Sequence, residues 1–169
     1  FAFGDKIYEK ATGSYKISPG EMAIKSPVIN IIKQAIVLKI PIVGICNGFQ
    51  ILTQMRLLPG KLLLNNDKKF TNKKVKCILT KNLTGKEAIK ENLYVANSYG
   101  RYYISKNDYK DLLQDKQILI KYDDVHYDNG SINNIAAISD NTGLIIGMMP
   151  HPERTMSKTI KKHLLDLAY

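Results

Sequence analysis

Tryptophan is absent from the 169 residues, cysteine occurs twice, and arginine is limited to Arg56, Arg101 and Arg154. Two cysteines, Cys46 and Cys77, are too few for a disulfide scaffold, and neither sits in a paired metal-ligand spacing. A reducing, cytoplasmic setting is therefore expected. The longest apolar run, around Ile40 to Ile45, falls far short of the roughly 20 residues that a helix needs to cross a bilayer. No secretory signal is visible at the N-terminus, and there are no repeats, linkers or low-complexity segments. The scarcity of arginine also bears on the net charge of +10. Base readout favours the bidentate fork of arginine, and here the charge is lysine scattered along the chain. It reads as composition, and neither nucleic acid nor a membrane is the expected partner.

What remains is ordinary for a globular protein: 44% hydrophobic and 24% charged residues. The length suits one domain over residues 1–169, able to bury roughly 70% of its extended surface. The sequence opens in mid-motif at Phe1, so a preceding N-terminal piece is expected. Residues 5–26 are polar and broken by Gly13, Pro19 and Gly20, which reads as a long loop over a site. Helical spacing of Val28, Ile31, Ile32, Ala35 and Ile36 predicts a helix over Val28 to Leu38, stopped by Pro41. Ile42 to Ile45 is a short, continuously apolar strand of the kind buried on both faces. A helix from Gly48 to Leu58 follows, ended by Pro59-Gly60. Further strands are predicted at Lys61–Leu64, Lys74–Leu79, Leu93–Ala96, Arg101–Ile104, Ile118–Tyr122, Ile135–Ser139 and Leu144–Met149. Asp128-Asn129-Gly130 and Asn141-Thr142-Gly143 mark turns, and Ser157 can cap a final helix through Leu167. The helix–strand–helix order around Cys46 points to the α/β class.

Gly44-Ile45-Cys46-Asn47-Gly48 places a cysteine between a strand and a helix, in the pattern of a nucleophile elbow. Such a turn strains its central residue, and side chains at the flanking glycines would crowd it. It sets the sulfur at a helix N-terminus, where partial positive charge favours a thiolate, and aims the Asn47 N–H at an oxyanion beside it. A packed, inert cysteine in a glycine turn fits the five residues alone, and the strand-before, helix-after context favours function. Cys77, in mid-strand without glycines, reads as packed.

His151 and Glu153 lie in Met149-Pro150-His151-Pro152-Glu153-Arg154, after an apolar strand. A residue before proline is biased to extended geometry, and residues two apart in an extended segment face the same way. A thiol nucleophile needs a base, and the base needs an orienting carboxylate. Cys46, His151 and Glu153 supply these roles, whereas His126 and His163 read as surface residues. A zinc site using Cys46 and His151 would lack the usual paired spacing.

These segments resemble the class I glutamine amidotransferase family. The finer likeness is to its branch serving phosphoribosylformylglycinamidine synthase in purine biosynthesis. It is carried by Gly44-Ile45-Cys46-Asn47-Gly48-Phe49-Gln50-Ile51-Leu52, Leu57-Leu58-Pro59-Gly60, Gly100-Arg101-Tyr102-Tyr103, Asn129-Gly130-Ser131 and Gly147 to Arg154. The resemblance implies a flavodoxin-like three-layer sandwich around a mixed, mainly parallel sheet, with N-terminal strands ahead of Phe1. It implies glutamine as substrate, Cys46 as nucleophile, His151 as proton carrier, Glu153 as its orienter and Asn47 as backbone oxyanion donor. Gly48 and Gln50 fall at substrate-lining positions. Asn97, Ser98 and Tyr99 stand where the family often reads His-Gly-Glu and are expected near the substrate. A Pro-Gly-Gly loop that the family carries ahead of the position of Phe1 would give a second oxyanion donor. The resemblance implies no cofactor or metal in this subunit. ATP and magnesium belong to a partner synthetase subunit, with which a small accessory subunit is associated. Two other classes stay open: a non-catalytic amidotransferase-like binding module, against which an intact triad argues, and a related-fold cysteine hydrolase or peptidase. Those hydrolases commonly carry histidine directly after the nucleophile, where this chain has Asn47.

Overall fold

The strand Ile42–Ile45 (β1) forms where its apolar run predicts, between helices α1 (Val28–Val37) and α2 (Asn47–Gln54). These elements belong to a computed structural model that describes residues 26–166. The expected loop over residues 5–26 lies outside the described residues except for its last position, as do Phe1 and Leu167. Helix α2 ends four residues before the predicted Leu58. Arg56 takes a φ of 58°, and the N–H groups of Leu57 and Leu58 fold back onto the Leu52 carbonyl. A left-handed residue ends a helix before any downstream proline is reached.

Seven strands follow: β2 (Lys61–Leu63), β3 (Thr71–Leu79), β4 (Ile89–Asn97), β5 (Arg101–Tyr103), β6 (Ile118–Tyr122), β7 (Ile135–Ser139) and β8 (Ile145–Met148). β3 and β4 are longer than their hydropathy suggests. They pair from Thr71↔Asn97 to Leu79↔Ile89, and the Lys-rich half of β3 alternates exposed and half-buried residues ahead of its apolar half. The helices are the one-turn α3 (Lys81–Thr84), α4 (Lys106–Gln114), the one-turn α5 (Pro152–Thr155) and α6 (Lys158–Asp166), with a 3₁₀ turn at Ile132–Asn134. Helix α4 was not legible from its hydropathy, because Leu112 is its one buried side chain. Its signal is the cap: Ser105 Oγ accepts from the Asp108 N–H at 3.2 Å and donates to Asp108 Oδ2 at 2.8 Å.

Six strands form one sheet in the order β1-β8-β7-β6-β3-β4, and β2 and β5 form a separate antiparallel pair. The sheet is mixed, as expected, but among the described residues it is not mainly parallel. Only β1–β8 is parallel; the β8–β7, β7–β6, β6–β3 and β3–β4 ladders are antiparallel. The reason lies in the connections. A tight turn at Asp140–Gly143, with Gly143 at φ 76°, joins β7 to β8, and tight turns can join only antiparallel neighbours.

Two hydrophobic layers cover this sheet, giving the expected three-layer α/β architecture. Ile160 of α6 packs with Val75, Cys77, Val95, Ile120 and Met148 on one side. Phe49 and Leu52 of α2 and Leu112 of α4 pack with Ile118, Ile135, Ile138 and Met149 on the other. β8 shows the period-two logic, Ile146 and Met148 joining the first layer and Ile145 and Met149 the second. A register shift between Ile118 and Ile120 of β6 breaks the alternation, so Leu119 and Ile120 both join the first layer. Gly147 lets α2 approach: a Cβ there would overlap the Phe49 ring and lie 2.6 Å from Leu58.

The core carries a pH dependence. Burial pushes the Cys77 thiol from 9.0 up to about 12, helped by Asp124, Glu91 and Asp123. Burial likewise raises the hydroxyls of Tyr102, Tyr122 and Tyr127. For groups whose folded-state value is raised, stability is fully present below the unfolded value and is lost as pH climbs through the folded one. Unfolding free energy should therefore hold below about pH 9 and fall between 9 and 12, by about 1.4 kcal/mol per pH unit per group. Urea unfolding near pH 8 and near pH 10.5 should show the loss, and Cys77→Ala should make it shallower. A profile equally steep in that variant would remove Cys77 from the account.

Candidate active site

Cys46 leaves β1 with φ 54° and ψ −105°, a left-handed conformation that costs a non-glycine residue of order 1–3 kcal/mol. This is the strained elbow that the glycines predicted. Gly44 is required by contact: a Cβ there would lie 2.6 Å from the backbone carbon of Gly48 and from Leu52. The expected crowding at Gly48 is not found. A Cβ at that position would meet no described atom within 4 Å, because Gly48 faces outward on the first turn of α2. The Phe49 and Gln50 N–H groups bond to the Cys46 carbonyl at 3.0 and 3.2 Å. The Asn47 and Gly48 N–H groups, at the first two helical positions, have no intrahelical acceptor and form a donor pair beside the thiol.

Because β1 and β8 run parallel with Ile45 opposite Met148, Cys46 and Met149 leave the sheet at the same end. The Cys46 N–H donates to the Met148 carbonyl at 2.7 Å. Two residues later the chain reaches His151, whose N–H donates to the Tyr94 carbonyl at 2.7 Å. Tyr94 lies on β4, at the far edge of the sheet order, so the sheet curls until that edge meets the residues beyond β8. The Cys46 thiol donates to the Ala96 carbonyl, also on β4, at 3.6 Å. Positions two apart on a strand are about 7 Å apart and on the same side. The imidazole backbone and the thiol are thus held at neighbouring places along one strand.

His151 is buried, at 6% exposure. Its Nδ1 lies 2.7 Å from Glu153 Oε1, and its Nε2 is buried with no hydrogen-bond partner among the described residues. A carboxylate at Nδ1 fixes the proton there and leaves the Nε2 lone pair free as a base. The pair forms differently from the expectation. The segment is not extended throughout, because Pro152 begins the one-turn α5 with His151 as its N-cap, and proline suits a first helical position. Glu153 therefore reaches His151 across a helix start. Cys77 is fully buried in the core, as expected. His126 is exposed, His163 is half-buried on α6, and among the described residues no three His, Cys, Asp or Glu side chains converge to hold a metal.

The remaining expected positions form a brace around this centre. Asn47 Nδ2 donates to Gln50 Oε1 at 2.8 Å, and Gln50 Nε2 donates to the Tyr99 carbonyl at 2.8 Å. Gln50 is 3% exposed, and both ends of its amide are engaged within the protein. Asn97 is fully buried and Ser98 nearly so, whereas Tyr99 is half-buried. Three residues in this brace were not singled out by their chemistry. Asn65, Asn129 and Ser131 all bond to the Gly100 backbone. The turn signal and the family resemblance at Asn129-Gly130-Ser131 marked two, and nothing in the polar run Asn65-Asn66-Asp67 marked Asn65.

With this geometry in place, the comparison with known families is decisive. The model of the CobB/CobQ-like glutamine amidotransferase domain matches residues 39–166. The chain belongs to that family. Its fold is similar to a chain in the structure of PurLQS from Thermotoga maritima, with a TM-score of 0.74 and 30% identity over 89% of this chain and 72% of the other. The matched span holds the elbow, both carbonyl platforms on β4 and the His151–Glu153 pair of this amidotransferase.

A glutamine-shaped electrophile should label Cys46 and leave Cys77 unmodified, since reactivity follows thiolate character and access. Cys77 is fully buried with its thiol pushed up to about 12. Peptide mapping after labelling reads the outcome, and label confined to Cys77 would overturn the assignment of the elbow.

Proposed function

We propose that the chain is the glutaminase component of phosphoribosylformylglycinamidine synthase. It would release ammonia from glutamine for an ATP-dependent synthetase subunit, in the cytoplasm, with a small accessory subunit in the assembly. The observation that carries the glutaminase reading is the state of His151: buried, tied through Nδ1 to Glu153, and unpartnered at Nε2 among the described residues. The assignment to this synthase rests on the Cys46-to-Leu52 and Met148-to-Arg154 segments and on the similarity to PurLQS.

In this reading the Cys46 proton passes to His151 Nε2, and the sulfur attacks the carboxamide carbon of glutamine. The oxyanion accepts hydrogen bonds from the Asn47 N–H, with the Gly48 N–H beside it. Collapse of the tetrahedral intermediate breaks the C–N bond, and His151 returns the proton to the departing nitrogen as ammonia. A glutamyl thioester remains on Cys46. Water, deprotonated by His151, attacks it, and the C–S bond breaks to give glutamate and the thiol. Glu153 stays ionised and holds the imidazole in the productive tautomer. The chemistry needs no cofactor from this chain; ATP and magnesium act in the synthetase.

Two variants test the roles. In the reconstituted complex, Cys46→Ser should abolish glutamine-dependent synthesis while added ammonia still supports it, because only ammonia release uses the sulfur. Near-normal glutaminase activity in that variant would refute the nucleophile. Glu153→Gln should lower kcat by roughly 10²–10⁴ with little change in KM. An equal rise in KM would instead make Glu153 a binding residue.

A further inference from the structure

The segment Asn97-Ser98-Tyr99-Gly100 joins β4, whose Ala96 carbonyl holds the Cys46 thiol, to β5. It is clamped from one side by a single residue. The Asn65 N–H donates to the Ser98 carbonyl at 2.7 Å. Its Nδ2 donates to the Asn97 carbonyl at 3.1 Å and to Asn97 Oδ1 at 3.3 Å. Its Oδ1 accepts from the Gly100 N–H at 3.0 Å. Asn65 is 2% exposed, so these bonds form away from competing water, where a lost partner is costly. The clamp needs Gly100 as well, since a Cβ there would overlap the Asn97 amide.

Gln50 and Asn129 also hold the segment. Gln50 of α2, four residues after Cys46, holds the Tyr99 carbonyl. Asn129 Nδ2 holds the Gly100 carbonyl at 2.9 Å. Asn97 is turned inward and fully buried, its amide facing Asn65 and Tyr127. Its side chain therefore supports the segment from beneath. The segment begins next to Ala96, whose carbonyl holds the thiol, and Asn65 fixes its backbone shape. An asparagine suits the task because one amide supplies both a donor and an acceptor; leucine or aspartate of similar size supplies one or neither.

We infer that Asn65 is a positioning residue of the glutamine site, holding Asn97–Gly100 in the conformation that aligns the amino-acid part of the substrate with Cys46. This rests on the glutaminase reading above. It predicts a split between recognition and intrinsic thiol chemistry. In the chain as it stands, Asn65→Ala should slow labelling of Cys46 by a glutamine-shaped diazoketone roughly tenfold or more, the effect of one or two lost hydrogen bonds. Labelling by iodoacetamide, which has no amino-acid part to align, should change less than about twofold. Asn65→Asp, which keeps the acceptor for Gly100 but sets a buried carboxylate against the Asn97 carbonyl and Oδ1, should slow the diazoketone reaction at least as much as Asn65→Ala. Gly100→Ala attacks the same clamp from its other side and should reproduce the split. It serves as the reading if melting shows that Asn65→Ala does not fold. Equal labelling of variants and parent by both reagents would overturn the proposal, and so would parallel changes with both, which denote general loosening. If the unmutated chain reacts with the diazoketone no faster than with its analogue lacking the α-amino and carboxylate groups, the glutaminase reading itself fails, and this inference with it.

Discussion

The site depends on a backbone hydrogen bond that joins the two ends of the curled sheet. His151, three residues beyond β8, donates to the Tyr94 carbonyl on β4 at 2.7 Å. In the sheet order these strands are separated by β7, β6 and β3, so only strong curling brings them together. Twist with a fixed hand is built into every sheet of L-residues, and here it is enough for the far edge to return. Once it does, the Ala96 carbonyl, two residues further on β4, lies within reach of the Cys46 thiol. Histidine and cysteine thus hold their relation through one strand as well as through the β1–β8 ladder. A shift of β4 by one residue would exchange its two faces and remove both carbonyls from their partners together.

Two costs are concentrated around this joint. Cys46 carries backbone strain of order 1–3 kcal/mol, and among the described residues His151 Nε2 and Asn47 Oδ1 are buried without partners, at roughly 1–3 kcal/mol each. Sums of that size rival the whole stability of a domain, so the surroundings must be rigid. The sheet beneath provides this. Ile135 and Ile138 of β7, Ile146 and Met148 of β8 and Phe49 of α2 are fully buried, and Cys46 itself is anchored to Met148. Losing such side chains typically costs 2–5 kcal/mol each. A strained turn and a buried base nitrogen kept free side by side are a cost that function, and not stability, explains.

How much of this was legible in the sequence follows from the range of each interaction. The elbow was readable because strand, glycines, cysteine and helix are contiguous, and local geometry decides them. The His151–Glu153 pair was readable as a pair, although its geometry was misjudged. Proline favours both an extended residue before it and a helix after it, and the second preference set the position of Glu153. Strand positions were clear wherever the apolar run was continuous, as at Ile118–Tyr122 and Ile135–Ser139. The polar half of β3 and helix α4 were hidden, since neither buries enough to print a period. The sheet's curl and the Asn65 clamp were not readable at all. Each joins residues more than 30 positions apart, Tyr94 to His151 and Asn65 to Asn97, and Asn65 has no local pattern to distinguish it from Asn66.

The two cysteines show why position in the fold outweighs residue type. Both sulfurs have a backbone carbonyl as partner, Ala96 for Cys46 at 3.6 Å and Val75 for Cys77 at 3.8 Å. Cys77 sits in the regular ladder of β3 among Leu79, Val95 and Tyr122, and desolvation there holds its proton firmly. Cys46 sits where the ladder has just ended, on a strained turn at the start of α2, half-buried, next to first-turn N–H groups that have no acceptor within the helix. A thiol in the first setting is a small apolar side chain. In the second, the end of a strand and the start of a helix leave backbone donors with no acceptor inside the helix. A negative charge at that point, on sulfur or on an oxygen bonded to it, is the most direct way for them to be satisfied.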